Sequence, residues 1–348
     1  MPQQPFDVVT VPDFSGKNAR LFELRALFFL AFWLEYAGLC RDYPLHLACI
    51  GPPPESVRRL AARCNAAITI HTPVQANNGQ TINKARGFEV NHQTDHLLLL
   101  DTDILVLDDF RAMGDLQGCV AAAVAHRARV PHSYWQEIYP LLELSLPTDQ
   151  VIVLCQKINA PAALTTATAD ARYLTLPYYN GGMIFMPWDC PLPSLWVEYV
   201  GRIARFFRSR PNAINSVLKS DMAGLAAAIE GLKQQGARFK TIPDPLHGHW
   251  LHLQGGLLSL SQIKLFHNTG SFKLPGKETT ATATCQWRGF GPAWLYHDLK
   301  HTLTRRVHDQ CLRLRKRHCH LLNVMKASLT LAYRQQKLYN KYIAPVLS

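Results

Sequence analysis

Residues 96–107 read HLLLLDTDILVL, an apolar run interrupted by Asp101, Thr102 and Asp103. Four consecutive leucines suit a buried strand of a sheet covered on both faces better than a strand with one wet side. The two aspartates stand where that strand would emerge, and open α/β sheets bind ligands at the carboxyl ends of their strands. In extended chain, residues i and i+2 point the same way, so the spacing predicts both carboxylates on one side. Side by side they repel each other. A divalent cation between them would remove that penalty and could bridge to a diphosphate. A solvated turn is the plainer reading of the same pair.

The flanking sequence extends the pattern. Phe6–Val11, Leu45–Ile50 and Ala67–His71 read as further strands. Helices are expected from about Asn18 to Gly38, from Pro53/Pro54 to Arg63, and over Ile82–Val90. Downstream, Arg127–Pro177 has no clear period and reads as an insertion over the sheet edge. The alternation then resumes with a strand at Tyr179–Met186, helices at Ser194–Arg208 and Asp221–Gln235, and short strands at Phe239–Ile242 and Ile263–Phe266. Strands alternating with helices predict an α/β fold with a mostly parallel central sheet. No internal repeat is visible.

With 48% hydrophobic and 18% charged residues, the chain is globular rather than disordered. The net charge of +12 is concentrated at the end: from His297 onward, eleven Lys/Arg face two acids, for a net +9. Nine scattered cysteines with no CxxC pair suggest buried thiols in a reducing compartment. The N-terminus lacks the pattern of a secretory signal. The most apolar run, Ala26–Leu34, falls well short of the roughly 20 residues a membrane span needs, so it reads as a helix packed on the sheet. A cytoplasmic protein is expected.

Residues 263–273 read IKLFHNTGSFK, a short strand followed by H-x-x-G-x-x-K at His267, Gly270 and Lys273. Together with the D-x-D strand end, and Asn83–Lys84 one helix before it, this resembles the GT-A glycosyltransferases, family 8-like. The resemblance runs in order over about residues 5–275. It implies a GT-A-type α/β catalytic domain over 1–290, a basic helical extension over 291–348, and metal-dependent transfer of a sugar from a UDP-sugar to a glycan, lipid-linked or other acceptor. Asp101, Asp103 and His267 would be the metal ligands, and imidazole with carboxylates suits Mn²⁺ better than Mg²⁺. Gly270 would let the backbone approach the donor pyrophosphate, and Lys273 would pair with it. Thr10, Lys84 and Thr102 join the donor-binding set. Tyr179–Met186 (YNGGMIFM) resembles the family's Asn-Ala/Ser-Gly strand, which implies that Asn180 and Gly181 sit beside the donor sugar. Asp221 stands where the family usually has Asp-Gln and would complete the catalytic set. Met222 replaces the Gln, which leaves the sugar and the stereochemical outcome open.

Rival readings stay beside these. Asp221 could serve as a helix N-cap. His247, His249 and His252 (HGHWLH) could be a metal cluster or an acceptor-side loop, and Cys311 with His318, Cys319 and His320 lacks a recognised zinc spacing. Trp135, Tyr139, Tyr178 and Trp188 are candidates to line the acceptor side. Arg86 reads as a surface charge. The basic tail, with apolar positions at helical spacing from Leu299 to Leu329, could pack on the domain, lie on the anionic inner face of a membrane, or, least favoured, bind nucleic acid. At the level of function, a nucleotidyltransferase would need a Gly-rich basic loop after the first strand, where VPDFSGKNAR is a poor match. A degenerate binding module would have little reason to keep both carboxylates and the His.

Overall fold

The computed structural model describes residues 5–74, 79–156, 173–210, 217, 221–254, 257–268 and 314–347. Seven strands make the main sheet: β1 (Asp7–Thr10), β2 (Leu45–Ile50), β3 (Ala67–His71), β4 (His96–Leu100), β6 (Val120–Val124), β11 (Tyr179–Pro187) and β12 (Phe239–Thr241). Their order is β12-β6-β11-β4-β1-β2-β3, and every pairing is parallel except those of β11. Successive leucines of β4 feed opposite faces, as the period of two requires. Leu98 and Leu100 join one apolar core, and Leu97 and Leu99 the other.

Helices α1 (Ala19–Tyr36) and α2 (Glu55–Arg63) cover the first face. On the second face lie α3 (His132–Leu141), α4 (Leu192–Arg208) and α5 (Asp221–Gln234). A second, three-stranded sheet joins β5 (Ile104–Val106), β14 (Leu265–His267) and β13 (Gly248–His249).

Four expectations change. The run 96–107 is two strands in two sheets, not one. Asp101 to Ile104 closes a turn in which the Ile104 amide donates to the Asp101 carbonyl at 3.0 Å. Aspartate favours such turns over strand interiors, so the carboxylates converge by turning and not by an extended i, i+2 geometry. Residues Gly79–Glu89 form a 3-10 run in place of the α-helix expected at Ile82–Val90. The stretch 127–177 is not formless: it holds α3, then β8 (Val151–Val153) paired with β10 (Tyr173–Thr175), and β7 (Arg127–Ala128) paired with β9 (Cys155–Gln156). Trp135, Tyr139 and Tyr178 are buried in the core, while Trp188 is half exposed and stacks on His92 with centroids 4.1 Å apart.

The last long helix, α6 (Leu314–Leu338), continues through a π turn to residue 347. Ala327, Leu331, Leu338, Tyr342, Ile343 and Val346 are buried in the core that holds α1 and α2. Leu329, expected on the apolar stripe, is 47% exposed. Glu35 at the end of α1 clamps this helix: Lys337 and Lys341 lie at 2.9 and 2.7 Å, and the Tyr342 hydroxyl donates at 2.9 Å. These donors, led by Lys341 and Lys337, draw the Glu35 carboxyl down to about 2. The apolar positions 299, 303, 307 and 311, and Cys311, lie outside the described residues. Cys40, Cys49, Cys64 and Cys119 are buried free thiols, and burial pushes the first three up to about 12. No described helix is long and apolar enough to cross a membrane.

Candidate active site

The break between β4 and β5 puts Asp101, Thr102 and Asp103 where the two sheets meet. The Asp101 amide donates to the Gly182 carbonyl of β11 at 2.8 Å. A Cβ at Gly182 would overlap the Asp101 carboxylate, so only glycine permits this approach. Antiparallel pairing of β14 with β5 sets His267 opposite Ile104, and the Asn268 amide donates to the Asp103 carbonyl at 2.9 Å. One ligand atom each from Asp101, Asp103 and His267 thereby falls within 4.8 Å of the others.

Buried charges need partners, and two basic residues supply them. Lys84 Nζ lies 3.0 Å from Asp101 Oδ1 and 3.1 Å from Asp221 Oδ2. Burial alone would push this ammonium down, but the two carboxylates outweigh it and hold Lys84 above its ordinary value. Arg25, on the buried α1, lies 3.2 Å from Asp103 Oδ2, and His267 Nε2 lies 3.3 Å from Oδ1. Burial would raise the Asp103 carboxyl, and these neighbours, His267 foremost, bring it well below the usual range. Among the described residues Asp103 Oδ1 is buried, and the contact from His267 Nε2 falls short of a well-formed hydrogen bond. A buried anionic oxygen so weakly satisfied, facing two further metal-competent groups, fits a divalent cation.

Asn180 organises the opposite wall. Its Oδ1 accepts from the Gly182 amide at 2.9 Å, which fixes the side-chain flip. Its Nδ2 then donates to His267 Nδ1 at 2.8 Å and faces His247 Nε2 at 3.4 Å. With Nδ1 accepting, the proton of a neutral His267 sits on Nε2, toward Asp103.

Asp221 opens α5 and is buried. Its carboxylate engages Lys84, and its carbonyl accepts from Trp196 Nε1 at 2.7 Å. Gly181 leaves room for it, since a Cβ there would stand 2.9 Å from Asp221 Oδ2. Thr10, at the end of β1 beside Leu100, is buried with a hydroxyl that has no hydrogen-bond partner among the described residues, and Thr102 is buried too. A cavity opens among Lys84, Asp101, Asn180, Asp221, Met222 and His267, with Arg127 and Arg129 adding positive charge to its rim.

The structure thus brings together Asp101, Asp103, His267, Asn180, Gly181, Asp221 and Lys84, with Thr10 and Thr102 alongside. Gly270 and Lys273 lie outside the described residues. Lys84, expected on a phosphate, here bridges two carboxylates. Sequence reasoning missed Arg25 and His126. A charge at the edge of the apolar run 26–34 was a usable signal for Arg25, because such a residue needs a buried partner. His126 gave none.

His126, His247 and His249 crowd behind His267. The His126 ring stacks on His247 and His249 at 4.6 and 4.2 Å. Burial, then mutual repulsion, keeps His126 and His247 far below the ordinary imidazole value and takes His249 down to about 3. All three are neutral near pH 7.

Residues 51–215, just under half of the chain, match the family described as the Rhodobacterales glycosyltransferase domain. No curated protein matches the sequence. Among solved structures, the galactosyltransferase LgtC in complex with donor and acceptor sugar analogs is 14% identical. That alignment covers 86% of this chain and 96% of LgtC, with a TM-score of 0.43. Mouse xyloside xylosyltransferase 1 in its apo form is 13% identical over 76% of this chain and 98% of its own, with a TM-score of 0.45. The glycosyltransferase GlyE of Streptococcus pneumoniae is 11% identical over 87% and 64%, with a TM-score of 0.43. Over residues 51–215 the chain is similar to a glycosyltransferase domain, and its fold is α/β with a mixed, mostly parallel central sheet.

Proposed function

We propose that this protein is a glycosyltransferase of the GT-A kind that moves a sugar from a UDP-sugar to a glycan, lipid-linked or other acceptor, with Mn²⁺ or Mg²⁺ held by Asp101, Asp103 and His267. The observation that carries the reading is the convergence of these three ligands from a strand break and a distant strand, with the buried Asp103 oxygen left without a well-formed hydrogen bond among the described residues. A divalent ion held there would neutralise charge developing on the leaving diphosphate. Thr10, Thr102, Gly270 and Lys273 would bind the nucleotide diphosphate. Asn180, Gly181 and Asp221 would surround the sugar carbon, with Lys84 holding Asp101 and Asp221 in register. None of these residues is a strong nucleophile at its free pKa, which suits chemistry by positioning and leaving-group stabilisation. The catalytic unit would be 1–290, with 291–348 as its extension. Buried free thiols fit a cytoplasmic setting, and the basic tail would touch an anionic membrane face only through the side not packed on α1.

The decisive assay is UDP release from UDP-sugars with and without Mn²⁺. Asp103→Ala and His267→Ala should each lower metal-stimulated turnover roughly a thousandfold or more, with circular dichroism and melting showing an intact fold. Undiminished turnover in Asp103→Ala would sink the assignment. Lys273→Ala should weaken UDP binding and the transfer rate together, and Lys273→Arg should not restore both, because a planar fork differs from a point charge. Unchanged calorimetric affinity for UDP in the Ala variant would remove Lys273 from the site.

A further inference from the structure

Behind the carboxylates, three buried imidazoles face one another, and of the three His267 also reaches Asp103 through its other ring nitrogen. One ring nitrogen each of His126, His247 and His267 lies within 4.8 Å of the others. His247 Nε2 and His267 Nδ1 are 3.4 Å apart. Two nitrogens bound to one tetrahedral zinc at about 2.0–2.1 Å are separated by about 3.3–3.4 Å, the edge of the tetrahedron. The lone pairs of this pair converge on the Asn180 amide, whose Nδ2 reaches both. The Nε2 of His126 is buried and has no hydrogen-bond partner among the described residues. His249 and His252 are engaged otherwise: their Nδ1 atoms accept from the backbone amides of Leu251 and His249 at 3.1 and 3.0 Å.

We infer that His126, His247 and His267 form a second metal site, selective for an imidazole-seeking ion such as Zn²⁺ or Co²⁺, which competes with the Asp101–Asp103 centre for His267. Nitrogen-only ligation favours Zn²⁺, Co²⁺ or Cu²⁺ over Mn²⁺ and Mg²⁺, which prefer oxygen. The competition follows from the ring. In the tautomer that the Asn180 contact implies, Nδ1 presents its lone pair to the imidazole pocket while Nε2–H faces Asp103, and an ion on the carboxylates needs the lone pair on Nε2 instead. A neutral imidazole has one such lone pair at a time. The competition rests on His267 serving the carboxylate centre as proposed above, whereas the imidazole site stands without it.

Co²⁺ is the probe, because its visible absorption reports tetrahedral nitrogen ligation. In full-length Asp101→Asn/Asp103→Asn protein, one Co²⁺ per chain should still bind with a tetrahedral spectrum that Zn²⁺ abolishes. Adding His126→Gln or His247→Gln should weaken that binding at least about tenfold. No tetrahedral band in the aspartate variant, or one unchanged when both histidines are replaced, overturns the site. Should the variants misfold, long-range ¹H–¹⁵N spectra of the unmodified chain decide. Zn²⁺ should shift the ring nitrogens of His126 and His247, and a shift confined to His267 Nε2 would place the ion on the carboxylates alone and end the proposal. UDP release independent of Mn²⁺ would remove the donor-site reading and leave the Co²⁺ result as measured.

Discussion

Lys84 spans two carboxylates from different parts of the chain, Asp101 at the break between β4 and β5 and Asp221 at the start of α5. Replacing it with methionine leaves the buried Asp221 and the partly buried Asp101 without their cation in one cavity, and breaking a buried pair in this way costs up to about 3–5 kcal/mol. A divalent ion can take over part of that compensation, and a ligand bound only to the folded state stabilises it. Lys84→Met should therefore melt well below the wild type, and Mn²⁺ should raise its melting temperature by more than it raises the wild type's. Equal shifts would show that the lysine does not balance the metal carboxylates. Asp101, Asp103 and His267 were legible in the sequence because each sits in a short spaced motif at the end of an apolar strand. Arg25 and His126 were not, since a pair such as Arg25–Asp103 joins distant positions and leaves no local pattern. The reason the two aspartates converge was also misjudged: a turn, not strand alternation, aims them.

Helix α1 is buried nearly all round, from Leu24 through Trp33 with only Arg25 partly open. A helix apolar on every side must be covered on every side, and its second cover is the C-terminal helix. The run Ala26–Leu34 thus announced a helix on the sheet but not what lay over it, because the partner is some three hundred residues away. The segment 79–89 failed as an α-helix for local reasons. A Cβ at Gly87 would stand 2.8 Å from Leu99 and 2.9 Å from Val11 and force those side chains to shift, and Asn83 is tied to the Val74 amide at 2.8 Å and to Asp13 at 2.9 Å. Glycine and these side-chain ties draw the chain away from regular α geometry. Where α4 and α5 cross, a Cβ at Gly224 would overlap the Val200 side chain and stand 3.0 Å from its amide nitrogen. Gly224→Ala should cost about 1–3 kcal/mol by overpacking and slow transfer by moving Asp221 on the same helix. A melting temperature equal to the wild type's would mean that the crossing yields without strain.

Across the whole molecule, the basic tail is partly a structural member. Its apolar side is spent on α1 and α2, and Glu35 holds it through Lys337, Lys341 and Tyr342. Because folding lowers the Glu35 carboxyl from 4.5 to about 2, this clamp contributes fully above the unfolded value and is lost as pH falls toward the folded one. The difference in melting temperature between wild type and Glu35→Gln should be constant near neutrality and shrink as pH drops from about 4.5 toward 2. A difference independent of pH would show that the charge is not the clamp. The break between β4 and β5 also has a consequence in time. During synthesis β5 emerges roughly 160 residues before β14, its partner, an interval of about ten to thirty seconds at ordinary ribosomal speed. Arg25 and Lys84 are already made by then, so the nascent strand carries counter-charges for its aspartates while no His267 exists. An ion arriving in that interval would find carboxylates and water alone, so the proposed ligand set would be complete only in a chain whose translation has passed β14.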